Sequence, residues 1–297
     1  MSTYSMWGAL EIGLIFGLVA LGVLISFRIL RFPDLTVDGS FPLGGAVAAT
    51  LISQGSDPFL ATIAATFAGA LAGSITGWLN VRLKIMDLLA SILMMIALYS
   101  INLRIMGRPN VPLIMEPTVF TLLQPDTIAD YIARPLLLIV LVVAVKLLLD
   151  WFFGTQTGLA MRATGSNARM ARSQGVATGN MLLLGMAISN ALVALAGALF
   201  AQSQGGSDIS MGIGTIVIGL AAVIVGESIL PARKLFYATL AVILGAILYR
   251  FFIALALNAD IIGLKAQDLN LVTALLVTFA LVIPLLKKRM RSRKGGQ

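Results

Sequence analysis

Between two long apolar runs, residues 154–176 read GTQTGLAMRATGSNARMARSQGV. Within this stretch Asn167 can cap a helix of about two turns, and Gly175 can end that helix in the left-handed conformation. Three side chains would share one side of it by their spacing, namely Met170, Ala171 and Gln174. A short capped helix outside a membrane can dock in a groove of a soluble partner and move as one body. The stretch therefore predicts a lever.

The composition of the whole chain excludes a water-soluble protein. Of 297 residues, 59% are hydrophobic and only 11% are charged, and the mean hydropathy is +0.97. A soluble domain carries about a quarter of its residues as charged side chains, so the natural solvent of this chain is a bilayer. The net charge of +8 is better explained by membrane topology than by binding to nucleic acid.

Missing residue types exclude several kinds of chemistry. The chain has no Cys and no His, which removes disulfides, zinc sites with the usual ligands and Ser-His-Asp triads. It also has no Gly-Lys-Ser or Gly-Lys-Thr, the end of a Walker A loop. We therefore expect no cofactor on this chain and no enzyme activity, and any ATP with its Mg²⁺ has to be bound by a partner.

Seven apolar runs are long enough to cross a bilayer as helices, which takes roughly 17–25 residues. They lie near residues 7–27, 59–79, 86–103, 135–153, 181–202, 235–257 and 269–286. Two shorter, Gly-rich runs, 41–54 and 211–229, are typical of broken or re-entrant helices, which need protein or water to cover their backbone. The prediction is an all-α polytopic membrane protein with eight to nine transmembrane or re-entrant helices.

Basic residues predict the orientation of these helices. If the basic tail 287–297 is cytoplasmic and all nine runs cross, 15 of the 21 Lys and Arg residues fall in inside loops and four fall outside. This is the bias of the positive-inside rule. The C-terminus is then cytoplasmic, the N-terminus lies outside, and the loop 154–180 is cytoplasmic. The tail would rest on anionic membrane lipid.

A similar motif precedes each of the two short runs. The first Asp motif is DLTVDG at residues 34–39, and the second Asp motif is DISMG at residues 208–212. The two would lie at opposite ends of their runs, which suggests an inverted repeat, the plan of many transporters. Because Asp, Ser and Thr are good N-caps, we expect a half-helix to begin at each motif with its free N–H groups facing a cavity.

The two Asp motifs and the polar residues of the span after the lever are candidates for a substrate pathway. The candidate residues are Asp34, Thr36, Asp38, Asn190, Gln202, Asp208 and Ser210. Ordinary capping of membrane helices near the interface is the alternative for the motifs. Elsewhere in the spans, Lys146 and Asp150 are four residues apart and are expected to pair. A stripe of small residues at Gly69, Gly73 and Gly77 predicts close helix packing.

The lever and the span after it resemble one known family. The residues that carry the resemblance are Thr157-Gly158, Arg162-Ala163, Gly165, Asn167, Ala171-Arg172, Gly175-Val176, ALAGAL at 194–199, the first Asp motif and GTIVIGLAAVIVGES at 214–228. Together they are similar to ABC importer permeases of the branched-chain amino acid and monosaccharide type. Many members carry an acidic residue beside the position of Asn167, where this chain has Ser166 and Ala168.

This resemblance implies a permease domain over residues 1–286 in the inner membrane of a bacterium, followed by the cytoplasmic tail 287–297. It implies a cytoplasmic ATP-binding subunit, which holds ATP and Mg²⁺, a second permease copy and an external substrate-binding lipoprotein. The most similar systems are linked in part to aromatic amino acids, so the expected cargo is an amino-acid-like solute. The residues expected to couple to the ATPase are Gly158, Arg162, Ala163, Asn167, Met170, Ala171, Arg172 and Gly175.

Two other functional classes compete with this one. An ion- or proton-coupled secondary transporter that uses Glu11 or Asp208 as its coupling acid would fit the inverted repeat and would leave the lever unexplained. An intramembrane enzyme lacks the usual metal ligands and catalytic dyads. The large outer loop 104–134 fits either a docking surface for a binding protein or a solvated connection.

Overall fold

The protein is a bundle of long helices, seen here in a computed structural model that describes residues 3–124, 129–230 and 234–257 and Thr278. Six helices of this described part are long and apolar enough to cross a membrane. They are Tyr4–Ile29, Pro58–Leu83, Asp87–Met106, Asp130–Gly154, Thr178–Gln204 and Leu235–Leu255. Six of the seven predicted spans are thereby confirmed, and the chain is a multi-pass membrane protein. The seventh, 269–286, with the exception of Thr278, and the tail 287–297 lie outside the described residues.

The elements follow one another almost without long loops. In chain order they are α1 (Thr3–Val23), a π-helical turn (Leu24–Ile29), α2 (Val37–Ser53), α3 (Pro58–Leu83), α4 (Asp87–Met106), β1 (Asn110–Pro112), α5 (Val119–Leu123), α6 (Asp130–Gly154), α7 (Gln156–Ser166), α8 (Ala168–Ser173), α9 (Thr178–Gln204), β2 (Gly206–Asp208), α10 (Thr215–Ile229) and α11 (Leu235–Leu257). Strands β1 and β2 pair in antiparallel register, with Val111 opposite Ser207.

Local sequence signals explain where several helices begin and end. The side chain of Asp57 caps α3 by accepting the N–H of Phe59 at 2.8 Å, and Pro58 occupies the first turn, where its missing N–H costs nothing. Gly107 ends α4 with a φ of 67°, a left-handed conformation that glycine adopts without strain. These capping residues set the start of α3 and the end of α4.

Helix α9 lies at the centre, and α1, α2 and α3 pack around it. The predicted small-residue stripe of α3 faces α9, where a Cβ atom at Gly73 would lie 2.1 Å from the carbonyl oxygen of Met186. At Gly69 a Cβ would lie 2.4 Å from the carbonyl oxygen of Asn190. Only a residue without a side chain allows the two backbones to approach this closely, so the expected close packing is confirmed.

Helices α2 and α10 are shorter than the others, with 17 and 15 residues. At about 1.5 Å per residue they measure about 25 Å and about 22 Å, less than the hydrocarbon core of a typical bilayer at about 30 Å. Helix α2 begins beside the middle of α9, because Ser40 donates to Asn190, in the interior of α9, at 2.7 Å. Both helices therefore begin inside the bundle.

The two short helices run in opposite directions. Helix α1 is antiparallel to α9, since a Cβ at Gly22 would meet Ser189 and Glu11 accepts a hydrogen bond from Ser203 at 2.6 Å. Helix α10 follows the direction of α1 and ends where Glu227 pairs with Arg28 at 2.8 Å. Helix α2 follows α9. The opposed directions are those expected of an inverted repeat.

The predicted pair of Lys146 and Asp150 is present on α6 and is connected to α11. Lys146 is 4% exposed, forms the salt bridge with Asp150, and places its ammonium 3.3 Å from the ring centroid of Phe236. Thr239 donates to the other oxygen of Asp150 at 2.8 Å. The charges are satisfied within the protein, so this pair holds two helices together.

Candidate functional site

The two short helices meet at Asp38. This residue lies in the first turn of α2, and its carboxylate accepts the backbone N–H groups of Ile216 at 2.8 Å and Gly214 at 3.3 Å. These N–H groups lie at the start of α10, where backbone N–H groups have no acceptor within their own helix. The negative charge of the carboxylate also interacts favourably with the partial positive charge at that end of the helix. Asp38 therefore caps the helix of the other half.

This arrangement corrects the expected capping. We predicted that each Asp motif caps the half-helix that follows it. Thr36, the N-cap of α2, makes no side-chain cap bond, and α10 begins only after Gly214, which has a φ of 81°. A Cβ at Gly212 would lie 2.1 Å from the carbonyl oxygen of Asp38, so the second motif is pressed against the first. The cap of α10 therefore comes from Asp38 in the first motif, which lies against the second motif, and not from the residues directly before α10.

The two Asp motifs nevertheless contain the same type of local turn. Asp34 accepts the N–H of Thr36 at 3.0 Å, and Asp208 accepts the N–H of Ser210 at 2.8 Å. Each is a turn in which an Asp side chain imitates a backbone carbonyl two residues ahead. The match supports a common origin of the two halves. The hydrogen bond from the side chain of Ser210 also holds the pKa of Asp208 below its usual value.

Three of the predicted pathway residues, Asp34, Thr36 and Asn190, belong to a buried hydrogen-bond network. Asn190 donates to Asp34 at 2.8 Å and accepts from Ser40 at 2.7 Å. The hydroxyls of Thr36 and Thr76 lie 2.9 Å apart. Every side chain in this network is fully buried. The network fastens the first Asp motif to α3 and α9, so its members position α2.

Gln202 is also buried and hydrogen-bonded between elements. It is 3% exposed, donates to Thr62 at 2.9 Å and accepts the N–H of Val119 at 2.9 Å. Gln202 therefore joins α9 to α3 and to the short helix α5 in the loop 104–134. The same loop carries β1, whose pairing with β2 orders part of the predicted docking surface.

A cavity of about 590 Å³ opens where α2, α4 and the start of α10 meet. Of the predicted pathway residues, it brings together Asp38 and Ser210. Its other lining residues are Gly39 and Pro42 on α2, Met95, Ile96, Tyr99, Ser100 and Asn102 on α4, and Ile209 and Ile213 before α10. Sequence reasoning assigned no site residue to α4. The available signal was the polar cluster Tyr99, Ser100 and Asn102 within an apolar run.

The predicted lever is an ordered element of two helices. As expected, Asn167 caps α8 by accepting the N–H of Met170 at 3.1 Å, and Gly175 follows the helix with a φ of 83°. We predicted one helix here, but α7 precedes α8 and is capped by Thr155. Helix α7 has low hydropathy and directly follows α6, so hydropathy alone does not show where α7 begins. We name residues 156–175 the coupling element.

The residues predicted to contact an ATPase divide into two sets. Arg162, Ala163, Asn167, Met170, Arg172 and Gly175 are exposed. Gly158 and Ala171 are buried, and a Cβ at Gly158 would lie 2.4 Å from the Cα of Phe153. Ala171 thus faces the opposite way from Met170, although we expected them on one side. The buried pair maintains the shape of the coupling element, and the exposed set forms its outer surface.

The coupling element packs against the segment that leads into α2. A Cβ at Gly165 would lie 1.7 Å from the carbonyl oxygen of Ile29. One at Gly185 on α9 would lie 2.5 Å from Leu30 and 3.1 Å from the sulfur of Met161, which is fully buried. Leu30 is four residues before Asp34. The coupling element is therefore packed directly against the segment that leads into the first Asp motif.

Residues 6–286 match the family model described as the permease component of a branched-chain amino acid transport system. The chain belongs to this family. It is 39% identical to a tyrosine transport system permease protein from Clostridioides difficile (strain R20291), over 89% of this chain and 86% of the relative. It is 26% identical to the galactofuranose transporter permease protein YtfT from Escherichia coli (strain K12), over 84% of this chain and 71% of the relative.

A third relative, an uncharacterized protein from Rickettsia prowazekii (strain Madrid E), is 40% identical over 74% of this chain and 76% of its own length. The comparison with solved structures gave no match. The family and the named relatives make this chain a transport permease subunit and not an enzyme. The sequence-based assignment to the family is confirmed.

Proposed function

We propose that this chain is the membrane subunit of an ATP-driven importer and that a separate cytoplasmic ATPase grips the coupling element. The observation that carries the proposal is the continuous packing from α8 through α7 to Ile29 and Leu30, and from there to the first Asp motif. An exposed, capped helix with no apolar core of its own is suited to a partner's groove. Because this element is packed against the segment before α2, a movement of the element would also move the start of α2.

The coupling element has room to move. A cleft of about 510 Å³ separates it from the ends of α3 and α9, lined by Asn80, Thr164, Arg172 and Asn180 among others. Arg172 bridges this cleft to the start of α9, by donating to Thr178 at 3.2 Å. A partner that pulls on α8 would therefore act on α7, whose Met161 is buried in the main core, and so on the packing of α7 against α9. This geometry supports alternating access driven from the cytoplasmic side.

The functional unit is a dimer of two copies of this chain. The cavity at Asp38 opens on the α4 face, where Ile96 and Tyr99 are each more than half exposed. A carboxylate and an asparagine in such a cavity are costly next to lipid, so a water-filled pathway or a protein has to cover them. A second copy on this face would enclose a pathway between two Asp38 cavities.

The cargo is an amino-acid-like solute, with aromatic amino acids as the first candidates. One relative is named for tyrosine transport and covers most of this chain. The cavity has an apolar wall with a few polar groups, which is typical of sites for small molecules with an apolar body. An external substrate-binding lipoprotein would deliver the cargo, and the outer loop with β1 and β2 offers a surface for it. The direction is import into the cytoplasm of a bacterium across its inner membrane, with the N-terminus outside.

For alternating access, the permease needs two packing arrangements whose free energies differ by a few kcal/mol. In the state described here, the capping bonds of Asp38 join the two halves of the bundle. ATP binding in the partner would favour the packing in which the coupling elements of the two copies have moved. ATP and Mg²⁺ stay on the ATPase throughout.

The test compares charge reversals on two sides of the membrane. Arg162→Glu lies on the exposed surface of the coupling element, and Arg108→Glu is a matched change at an exposed position in the outer loop. We expect Arg162→Glu to reduce co-purification with the ATPase and ATP-dependent uptake, at unchanged membrane levels, and Arg108→Glu to leave the ATPase bound. Uptake that responds to a proton gradient and not to ATP would instead identify a secondary transporter.

A further inference from the structure

Helix α10 is held at both ends by charged residues from the first half of the chain. At its start, the carboxylate of Asp38 accepts the N–H of Ile216 at 2.8 Å. In its last turn, Glu227 forms an ion pair with Arg28, whose Nε lies 2.8 Å from the carboxylate. The two charges also suit the two ends of α10, because an anion is favourable at the start of a helix and a cation at its end.

Arg28 belongs to the π-helical turn at the end of α1. In this turn the N–H of Leu30 donates to the carbonyl oxygen of Ile25, five residues back, at 2.9 Å. Just before the turn, the carbonyl oxygen of Gly22 accepts the hydroxyl of Ser189 on α9 at 2.8 Å. Such turns are rare within α-helices and are frequent at functional sites. The end of α1 therefore has a different hydrogen-bond register from the helix that leads into it.

The same turn contacts both the coupling element and α10. A Cβ at Gly165 on α7 would lie 1.7 Å from the carbonyl oxygen of Ile29, within the turn. A Cβ at Gly219 on α10 would lie 2.7 Å from the side chain of Val23, directly before the turn. Neither contact leaves room for one added methyl group. Helices α7 and α10 thus pack tightly against neighbouring parts of one short segment.

We propose that the π-helical turn passes the movement of the coupling element to α10, and that Arg28 and Glu227 are the positioning residues for this step. Residues 30–36 join the turn to the start of α2, and the ion pair joins it to the end of α10. One coupling element then moves both short helices together, although it is continuous with neither. This inference rests on the proposed transport function and adds how the two halves of the bundle are coupled.

The exposure of the ion pair separates a role in coupling from a role in stability. The side chains of Arg28 and Glu227 are 66% and 33% exposed. Ion pairs with this degree of exposure contribute little to folding stability. If the pair were only structural, its loss would leave both stability and transport almost unchanged. A large effect on transport at unchanged stability therefore identifies a positioning role.

The test is a charge swap in the full chain, reconstituted in proteoliposomes with the proposed ATPase and the proposed binding lipoprotein. The variants are Arg28→Glu, Glu227→Arg and the double variant that carries both changes. Arg82→Glu is the matched control, because Arg82 is exposed in the last turn of α3 and has no ion pair among the described residues. The measurements are uptake of L-tyrosine, ATP hydrolysis, co-purification with the ATPase and the thermal unfolding midpoint in nanodiscs.

We expect each single reversal to lower the amount of solute transported per ATP hydrolysed severalfold, because two like charges then separate the turn from the end of α10. The double variant restores opposite charges at the two positions and should recover most of the loss. Arg82→Glu should behave like the parent protein. The unfolding midpoint and co-purification with the ATPase should change little in all four variants.

Three results would each overturn the proposal: single reversals that leave this ratio unchanged, a double variant no better than the single ones, or an unfolding midpoint that falls in parallel with uptake. Failure of the proposed function is distinguishable. If uptake follows a proton gradient and not ATP, while the double variant still rescues the single ones, the contact stands and the ATPase partner is wrong. If uptake depends on ATP and neither single reversal changes it, the transport function stands and the role of Arg28 and Glu227 is wrong.

Discussion

Asp38 in the first turn of α2 accepts the backbone N–H of Ile216 in the first turn of α10 at 2.8 Å. The two residues belong to opposite halves of the bundle and are 178 positions apart in the chain. One carboxylate thus fixes the relative position of two oppositely directed half-helices. Any movement that separates the starts of α2 and α10 has to break or rearrange this contact.

Replacing Asp38 tests this contact. Asp38→Ala leaves the N–H groups of Ile216 and Gly214 without their acceptor, and we expect a loss of about 1–3 kcal/mol of stability together with a loss of uptake. Asp38→Asn keeps one acceptor oxygen and should be milder. Asp57→Ala removes a comparable cap from α3 and should cost about 1 kcal/mol without affecting uptake. Thermal unfolding in nanodiscs and uptake assays measure both effects, and equal uptake by Asp38→Ala and Asp57→Ala would contradict a special role for Asp38.

Neighbouring residues of α8 should respond in different ways to the same substitution. Met170 is 57% exposed and Ala171 is 4% exposed. We expect Met170→Glu to preserve folding and abolish ATPase binding, because the new charge lies on the docking surface. Ala171→Glu buries an unpaired carboxylate and should reduce the amount of folded protein in the membrane. Membrane levels and co-purification with the ATPase separate the two outcomes, and a folded Met170→Glu variant that still binds the ATPase would refute the docking surface.

The contact between α2 and α9 depends on Gly44. A Cβ there would lie 1.9 Å from the carbonyl oxygen of Ala194, so Gly44→Ala has to separate the helices and should cost about 1–3 kcal/mol. Gly8→Ala is the matched control in α1, because nothing lies within 4 Å of its added Cβ. We expect that control to be neutral or to stabilise its helix slightly. Thermal unfolding of the two variants should differ, and identical midpoints would show that the packing is looser than described.

The pair of Lys146 and Asp150 provides a test of buried charge. Lys146→Met leaves Asp150 with Thr239 as its only remaining partner among the described residues, and we expect a loss of about 3–5 kcal/mol. The double variant Lys146→Met/Asp150→Leu removes both charges and should recover most of that loss. A double variant that is less stable than Lys146→Met would show that the pair itself, rather than an uncompensated charge, sets the stability.

The membrane spans were predictable from the sequence because length and apolar character alone decide whether a helix crosses a bilayer. The cap of α8 was also predictable, since Asn167 and Gly175 act within a few residues of each other. The partner of Asp38 was not. Its two N–H groups lie more than 170 residues away, and nothing local indicates that α2 and α10 begin at one point.

The roles of the polar residues within the spans depend on their burial and on their hydrogen-bond partners. Asn190 and Gln202 are polar residues within a span, and sequence alone cannot distinguish a residue that lines a cavity from one that fastens two helices. Their hydrogen bonds to Asp34 and Thr62 show the second role. Asn102 has a similar sequence context, but its Oδ1 is buried without a hydrogen-bond donor among the described residues. That difference requires coordinates.

The most direct test of the account is uptake of radiolabelled L-tyrosine by proteoliposomes that contain the chain together with the proposed ATPase and the proposed binding lipoprotein. ATP is supplied on the side of the coupling element, and an imposed proton gradient is the alternative energy source. The account predicts uptake with ATP alone, lost in Met170→Glu and retained in Arg108→Glu. Uptake driven by the gradient without ATP, or ATP-driven uptake that is unchanged in Met170→Glu, would contradict it.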